Sequence, residues 1–281
     1  MGLRKVVFGS SDVRVTPVGL GGEGVLRTMG RETEARAVIE EALSQGIGYY
    51  DSAVAYAGSQ GYYGQVWRDR PRERDGIFQT SKSAQRTGEG AWAELQQTLA
   101  TMGVDHLDLW QIHDLREESE FEEIAGSGGA LEAFVRAREQ GLARHIGVTG
   151  HHDPHLLTRV VLSWPVDAVL LPVNPVEACL EGFWDETMPA AREKGLAVIA
   201  MKVLGGGHYL APQAGVDALT LIRFALAQEV TTVIVGCASP DQVRNLALAG
   251  EMGPLPLAEQ ERLKELYRPH ARRLAFYRGW S

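Results

Sequence analysis

Short apolar, β-prone runs alternate along the chain with longer stretches whose apolar residues recur every three to four positions. "VTPVGLGG" (15–22) precedes "RETEARAVIEEALSQG", a helical pattern closed by Gly46. "IGYYDSA" (47–53) leads to a short helix near "SQGYYGQVW", and "GIFQTSKS" (76–83) to "GEGAWAELQQTLATMG". "LDLWQIH" (107–113) is followed by an irregular stretch and then "GALEAFVRAREQG". "HIGVTG" (145–150), "VDAVLLPVNP" (166–175), "LAVIAMKVLGGG" (196–207) and "VTTVIVGCAS" (230–239) each precede a further helical pattern. Several of the eight strand candidates are almost continuously apolar, as expected of a parallel sheet covered on both faces. Eight βα units in 281 residues predict an α/β fold, the (β/α)8 or TIM barrel, with a doubly wound open sheet as the alternative. "VVFGSSDVRV" reads as a hairpin at the barrel floor, and "LAEQERLKELYRPHARRLAFYRGWS" as an extra helix after the last unit. No linker or composition break divides the chain, so residues 1–281 read as one domain.

Composition narrows the function. A formal charge of −8 argues against a general affinity for nucleic acid or an anionic membrane surface. Two cysteines, Cys179 and Cys237, are too few for a disulfide framework and fit a reducing compartment. The first fifteen residues lack the apolar core of a signal peptide, and no uncharged apolar run reaches the roughly 18 residues of a membrane span. A cytoplasmic location is therefore expected.

Chemistry in a barrel of this kind gathers where strands end and βα loops begin. Three successive strands end in polar groups: the second at Asp51 with Tyr56 just beyond it, the third at Lys82, and the fourth at His113. Neighbouring strands lie about 4.8 Å apart, so these side chains can meet. A carboxylate beside an ammonium offsets the desolvation of both. The ammonium is also expected to lower the tyrosine pKa, making Tyr56 a proton donor at neutral pH. A histidine opposite can donate a hydrogen bond to a substrate oxygen.

With those residues in place, "DSAVAYAGSQGYYG" (51–64) resembles the Asp-(Ser/Thr)-Ala-x-x-Tyr-Gly-x-Ser motif of the aldo-keto reductase family, and Lys82 and His113 match its two remaining catalytic positions. "HIGVTGHH", "NPVEA", "VIAMKVLGGG" and "VIVGCASPDQVRN" resemble its later strand ends in order. The resemblance implies metal-free, NAD(P)H-dependent interconversion of a small-molecule carbonyl (aldehyde, ketone or sugar) and its alcohol. It makes Tyr56 the general acid, Lys82 its tuning partner, Asp51 the residue that holds Lys82, and His113 the group that orients the carbonyl. It further implies a cofactor, NADP(H) or NAD(H), held by Gly22 on the first strand, Thr149, Gly150 and Asn174 near the carboxamide, and Met201 stacked on the nicotinamide. Lys202, Leu204, Gly205 and Gly206 match the loop over the pyrophosphate, and Gly236, Cys237 and Ala238 the cradle around the adenosine phosphates. A helix N-terminus with free N–H groups suits an anion there on general grounds.

The chain also departs from the family pattern. Thr149-Gly150 stands where relatives often carry Ser-Asn, and Leu170 where a glutamine is common. Gln242, Asn245 and Leu246 occupy the spacing of Arg-x-x-Glu-Asn, and Gly236 a frequent lysine position. Two customary basic partners of a 2′-phosphate are thus missing from their places, with Arg244 as a substitute.

Other features have simpler readings. In "GHH" (150–152) the adjacent loop histidines are expected to point apart and Asp153 to cap a helix, so no metal site is assigned. "REESEFEE" (116–123) reads as a solvated acidic face, with a part in shaping substrate access as the alternative, and Trp110 as core. Phe183, Trp184, His208 and Tyr209 are taken as rim residues lining the substrate pocket. Two rival functions stay open on the same barrel: a Schiff-base lyase using Lys82 or Lys202, and a cofactor-binding regulatory protein with little turnover.

Overall fold

The structure is a computed structural model, and it describes residues 2–279. It begins with an antiparallel hairpin of β1 (Val6–Val7) and β2 (Arg14–Val15). Eight parallel strands follow: β3 (Val18–Gly24), β4 (Tyr49–Tyr50), β5 (Phe78–Ser83), β6 (Leu107–Leu115), β7 (Ala143–Gly150), β8 (Ala168–Pro172), β9 (Ala197–Met201) and β10 (Thr232–Cys237). They pair in sequence order, and β10 closes the cylinder on β3 through Val233 to Val18 and its successors. The helices are α1 (Glu32–Ser44), α2 (Ser59–Asp69), α3 (Pro71–Asp75), α4 (Gly88–Met102), α5 (Glu118–Ala125), α6 (Ala130–Glu139), α7 (Pro154–Ser163), α8 (Met188–Glu193), α9 (Ala218–Leu226), α10 (Pro240–Met252), α11 (Leu257–Tyr267) and α12 (Ala271–Leu274). The expected (β/α)8 barrel, floor hairpin and additional C-terminal helix are all present. The acidic run is not irregular: it forms α5, where Glu118 pairs with Arg159 and Glu120 with Arg86.

Alternation along the strands divides the apolar residues into two sets. Tyr49, Phe78, Leu109, Ala168, Leu170, Ala197, Ile199 and Ile234 face the barrel interior, while Tyr50, Trp110, Val169, Leu171, Val198, Val233 and Val235 pack outward against the helices. Trp110 is core as expected, fully buried and stacked on Phe134 at 3.6 Å between ring centroids. The hairpin delivers Phe8 and Val15 into the inner set, with the Phe8 ring 4.8 Å from Phe78 and 5.3 Å from His145. These partners lie on the early residues of their strands, so the hairpin stoppers the end opposite the βα loops.

The same alternation aims the chemistry. Tyr49 points inward, hence Asp51 two residues on does too. Phe78 sets the direction of Thr80 and Lys82, and Leu109 that of Gln111 and His113. Apolar residues fill the lower layers of the cylinder, and polar groups of the same parity form its top.

Candidate active site

The Tyr56 loop is fixed by its own backbone. The Tyr56 N–H donates to the Ala53 carbonyl at 3.0 Å, and the Tyr56 carbonyl accepts from Ser59 at 2.8 Å. Gly58 N–H reaches Thr28 at 3.0 Å, and Val54 N–H reaches the Lys82 carbonyl at 3.2 Å. Gly22 leaves room for the ring: a methyl there would sit 2.5 Å from Tyr56 Cδ2.

Asp51 and Lys82 are each 1% exposed. Lys82 Nζ donates to both Asp51 carboxylate oxygens, at 2.7 and 2.6 Å, and to the Ser52 carbonyl at 2.8 Å. The Thr80 hydroxyl donates to Asp51 at 2.9 Å. The amine is thereby held by acceptors on Asp51 and Ser52. Burial lowers the Lys82 pKa, and the Asp51 carboxylate opposes that shift. Lys82 Nζ lies 4.7 Å from the Tyr56 ring centroid, so phenol and amine do meet, but through the ring face. Arg27 lies 5.2 Å from the same centroid, and the His113 ring meets it edge-on at 5.7 Å.

This geometry corrects the expected tuning of Tyr56. Its pKa is pushed well above the ordinary 10, first by burial and then by the Asp51 and Glu23 carboxylates. Lys82 approaches the ring through its face, and the Asp51 carboxylate offsets part of its charge. The His113 imidazole is pushed down to about 3, by burial first and then by Lys82, and is therefore neutral at physiological pH. Arg86 braces this strand end by donating to the carbonyls of His113 and Asp114 at 2.9 and 3.0 Å while bonding Glu120.

Two cavities meet at Tyr56. One, of about 510 Å³, is walled by Lys82, Arg86, His113, Asp114, Glu120 and Thr149 among others. The second, of about 480 Å³, runs along Gly22, Met201, Lys202, Leu204, Gly205, Gly206, Gly236 and Gln242. Glu23, Tyr56, Leu170, Met201 and Lys202 belong to both. Glu23, Arg27 and Arg86 were not singled out in the sequence, because each reaches the site from a segment without a motif. The acidic run contributes to access through Glu120.

Five other expected cofactor residues line neither cavity. Asn174 is fully buried, donating to the Lys202 carbonyl and the Tyr277 hydroxyl and accepting from Val176 and Glu177 N–H. Its amide is spent holding a loop, not facing a ligand. Gly150 packs against Leu157, and Cys237 is buried behind the strand. The Ala238 N–H donates to Gln242 Oε1 at 2.7 Å, and Asn245 lies on the exposed face of α10. Arg244 pairs with Glu41 and Asp241. The rim assignment also changes. Phe183 and Tyr209 are buried, Trp184 packs on Phe224, and His208 meets Phe276. Leu210 and Phe276, from the same regions, line the glycine-rich cavity.

Asp153 caps α7, accepting from His155 and Leu156 N–H at 2.8 and 3.1 Å. The histidines before it do not point apart. Their ring centroids lie 4.6 Å apart at an interplanar angle of 30°, and both face Asp114, which has φ 57°. Burial lowers the pKa of both imidazoles, while the Asp114 carboxylate pulls each the other way.

Residues 17–214 match the profile of the Aldo/keto reductase family. This chain belongs to that family. It is 30% identical to an aldo-keto reductase of Mycolicibacterium smegmatis over 68% of its own length and 66% of that protein's. It is 25% identical to the L-galactose dehydrogenase of Arabidopsis thaliana over 92% of both chains. The chain spans about two thirds of the length of the first curated relatives it matches. An aldo/keto reductase from Klebsiella pneumoniae, solved in complex with NADP and acetate, superposes with a TM-score of 0.75 at 19% identity, covering 95% of this chain and 96% of that one. Among the described residues, no helix is long and apolar enough to cross a membrane.

Proposed function

We propose that this aldo/keto reductase is an NADP(H)-dependent oxidoreductase that interconverts a small carbonyl compound and its alcohol, with Tyr56 as general acid and base. The observation that carries the reading is the position of Tyr56 where two cavities join. One is lined by glycines of several strand ends and loops; the other is walled by Lys82 and His113.

The glycine-rich cleft fits the cofactor. Gly205, Gly206 and Gly207 turn with φ of 54°, 64° and 95°, and methyls on Gly206 and Gly207 would meet almost nothing within 4 Å. Bare backbone there can approach a pyrophosphate, and Leu170 and Met201 offer an apolar wall where the cavities meet. Lys202 is the one basic side chain among the residues that line this cleft. NADP(H) is favoured over NAD(H) by the family and by the NADP complex of the Klebsiella relative.

When bound, the cofactor supplies or accepts the hydride. The chain's own work is proton transfer and placement. Tyr56, held neutral by burial, gives its proton to the carbonyl oxygen during reduction and recovers it in the reverse direction. The neutral His113 imidazole donates a hydrogen bond that orients that oxygen and stabilises its developing charge. Lys82, anchored by Asp51, presents fixed positive charge beside the ring and helps the phenolate to form. A lyase that uses Lys82 as nucleophile is disfavoured, because the buried Asp51 carboxylate against it favours the protonated amine.

Fluorescence titration with NADPH and NADH, followed by a carbonyl panel, tests the reading. Tyr56→Phe is expected to lower turnover by about 10²–10⁴-fold with an almost unchanged NADPH dissociation constant. Wild-type turnover in that variant would end the mechanism; tight NADPH binding without turnover on any carbonyl would favour a regulatory role.

A further inference from the structure

We propose that Asp114, His151 and His152 form a binding site for a first-row divalent transition-metal ion at the mouth of the barrel. His151 Nε2 lies 3.1 Å and His152 Nε2 3.8 Å from Asp114 Oδ1, and one ligand atom from each residue falls within a shared span of 4.8 Å. Four-coordinate zinc with bonds near 2.0–2.1 Å places its ligand atoms about 3.3–3.4 Å apart. The separations of 3.1 and 3.8 Å bracket that spacing. Two imidazoles and one carboxylate are a donor set for zinc, iron or cobalt.

Hydrogen bonding around the cluster points the same way. His151 Nδ1 lies 3.1 Å from the Tyr277 carbonyl oxygen. A carbonyl only accepts, so Nδ1 carries the proton and a neutral ring turns its Nε2 lone pair toward Asp114. Two acceptors then face each other at 3.1 Å, and Asp114 Oδ1 is a buried oxygen without a hydrogen-bond donor. A cation between them resolves the conflict. The Tyr277 carbonyl becomes the outer partner that fixes the tautomer of a metal-bound histidine. Asp114 Oδ2 is already engaged by Arg116 Nε at 2.9 Å, which leaves Oδ1 as a single-oxygen ligand. The other cations near this end of the cavity include Arg86, neutralised by Glu120, and Lys202.

Asp114 and His151 also wall the cavity that holds Tyr56 and His113. Three protein ligands leave a coordination position open, as in sites where an ion takes a ligand oxygen. A hydroxyl or carboxylate group suits that position. The proposal stands on ligand geometry and does not depend on the carbonyl chemistry.

The test is a competition titration of the full chain against a fluorescent chelator with Zn²⁺, and visible spectroscopy with Co²⁺. One equivalent of Zn²⁺ is expected to bind. Loss of an outer partner of a metal site costs about 10–100-fold in affinity, so His151→Ala, His152→Ala and Asp114→Asn, which remove ligands, are expected to lose about 100-fold or more. His155→Ala, at an exposed histidine paired with Glu186, is expected to change nothing. Co²⁺ should give d–d bands without thiolate charge transfer. If a variant fails to fold, this wild-type spectrum decides the question. No Zn²⁺ binding overturns the proposal and leaves a proton in the ion's place, as a His151 imidazolium beside Asp114. Unchanged affinity in folded His151→Ala and His152→Ala, or a thiolate band, overturns it as well.

Discussion

Replacing Gly22 by alanine adds one methyl at the wall of the Tyr56 ring. The new carbon would lie 2.5 Å from Cδ2 and 3.0 Å from Cε2, and 3.0 Å from the Asp51 carbonyl oxygen. Ordinary carbon–carbon contact is about 3.5–4.0 Å, so the ring must withdraw by about 1 Å. It withdraws among neighbours already in place: Lys82 at 4.7 Å, Arg27 at 5.2 Å and His113 at 5.7 Å. Gly22 does not adopt a left-handed conformation, so alanine strains no dihedral and the effect is a displacement of the phenol. A misplacement of about 1 Å in a reacting group costs about 100-fold, or roughly 2.7 kcal/mol in the barrier. Steady-state kcat on the best carbonyl substrate is the assay, with NADPH affinity and the thermal midpoint measured on the same sample. The expected pattern is a fall of about 100-fold in kcat with cofactor binding mostly kept. A folded Gly22→Ala enzyme with wild-type kcat would show that the position of the ring does not limit the reaction.

Two further predictions concern charge. Because Tyr56 is raised above its reference value of about 10, its acid form persists to higher pH, and the rate of carbonyl reduction should show no alkaline loss from this group below about pH 10; a phenol-dependent limb near neutrality, absent in Tyr56→Phe, would contradict the burial argument. Lys82→Met strands a buried carboxylate and should cost about 3–5 kcal/mol in urea unfolding, whereas Asp51→Asn with Lys82→Met should recover much of it; equal costs would mean the pair is not coupled.

The barrel was legible because parallel strands covered on both faces lose the polar alternation of a half-exposed sheet. "AVLLP" and "AVIAM" are apolar throughout, yet their residues divide between interior and helix-facing sides. The positions of Asp51, Lys82 and His113 followed from strand ends alone. The tuning of Tyr56 did not, since it depends on its burial and on Asp51, Glu23 and Arg27, the last two coming from the end of β3 and the turn that follows it. The partners of Asn174 are not legible in the sequence, because a loop asparagine looks the same whether its amide meets a ligand or its own backbone. The direction of His151 and His152 depends on Asp114, whose left-handed backbone turns its side chain toward them. Helix α5 was missed because its apolar residues, Phe121 and Ile124, are too few among acids to mark a face.

Phe8 and Val15 cork one end of the cylinder. Among the described residues, the cavities around Tyr56 lie at the other end, where a reactant would enter and a product leave. For anyone attaching this enzyme to a support, the turn of the hairpin, around Ser10 and Ser11, is the place for a tether: it faces away from that doorway, and traffic through the opening would stay clear.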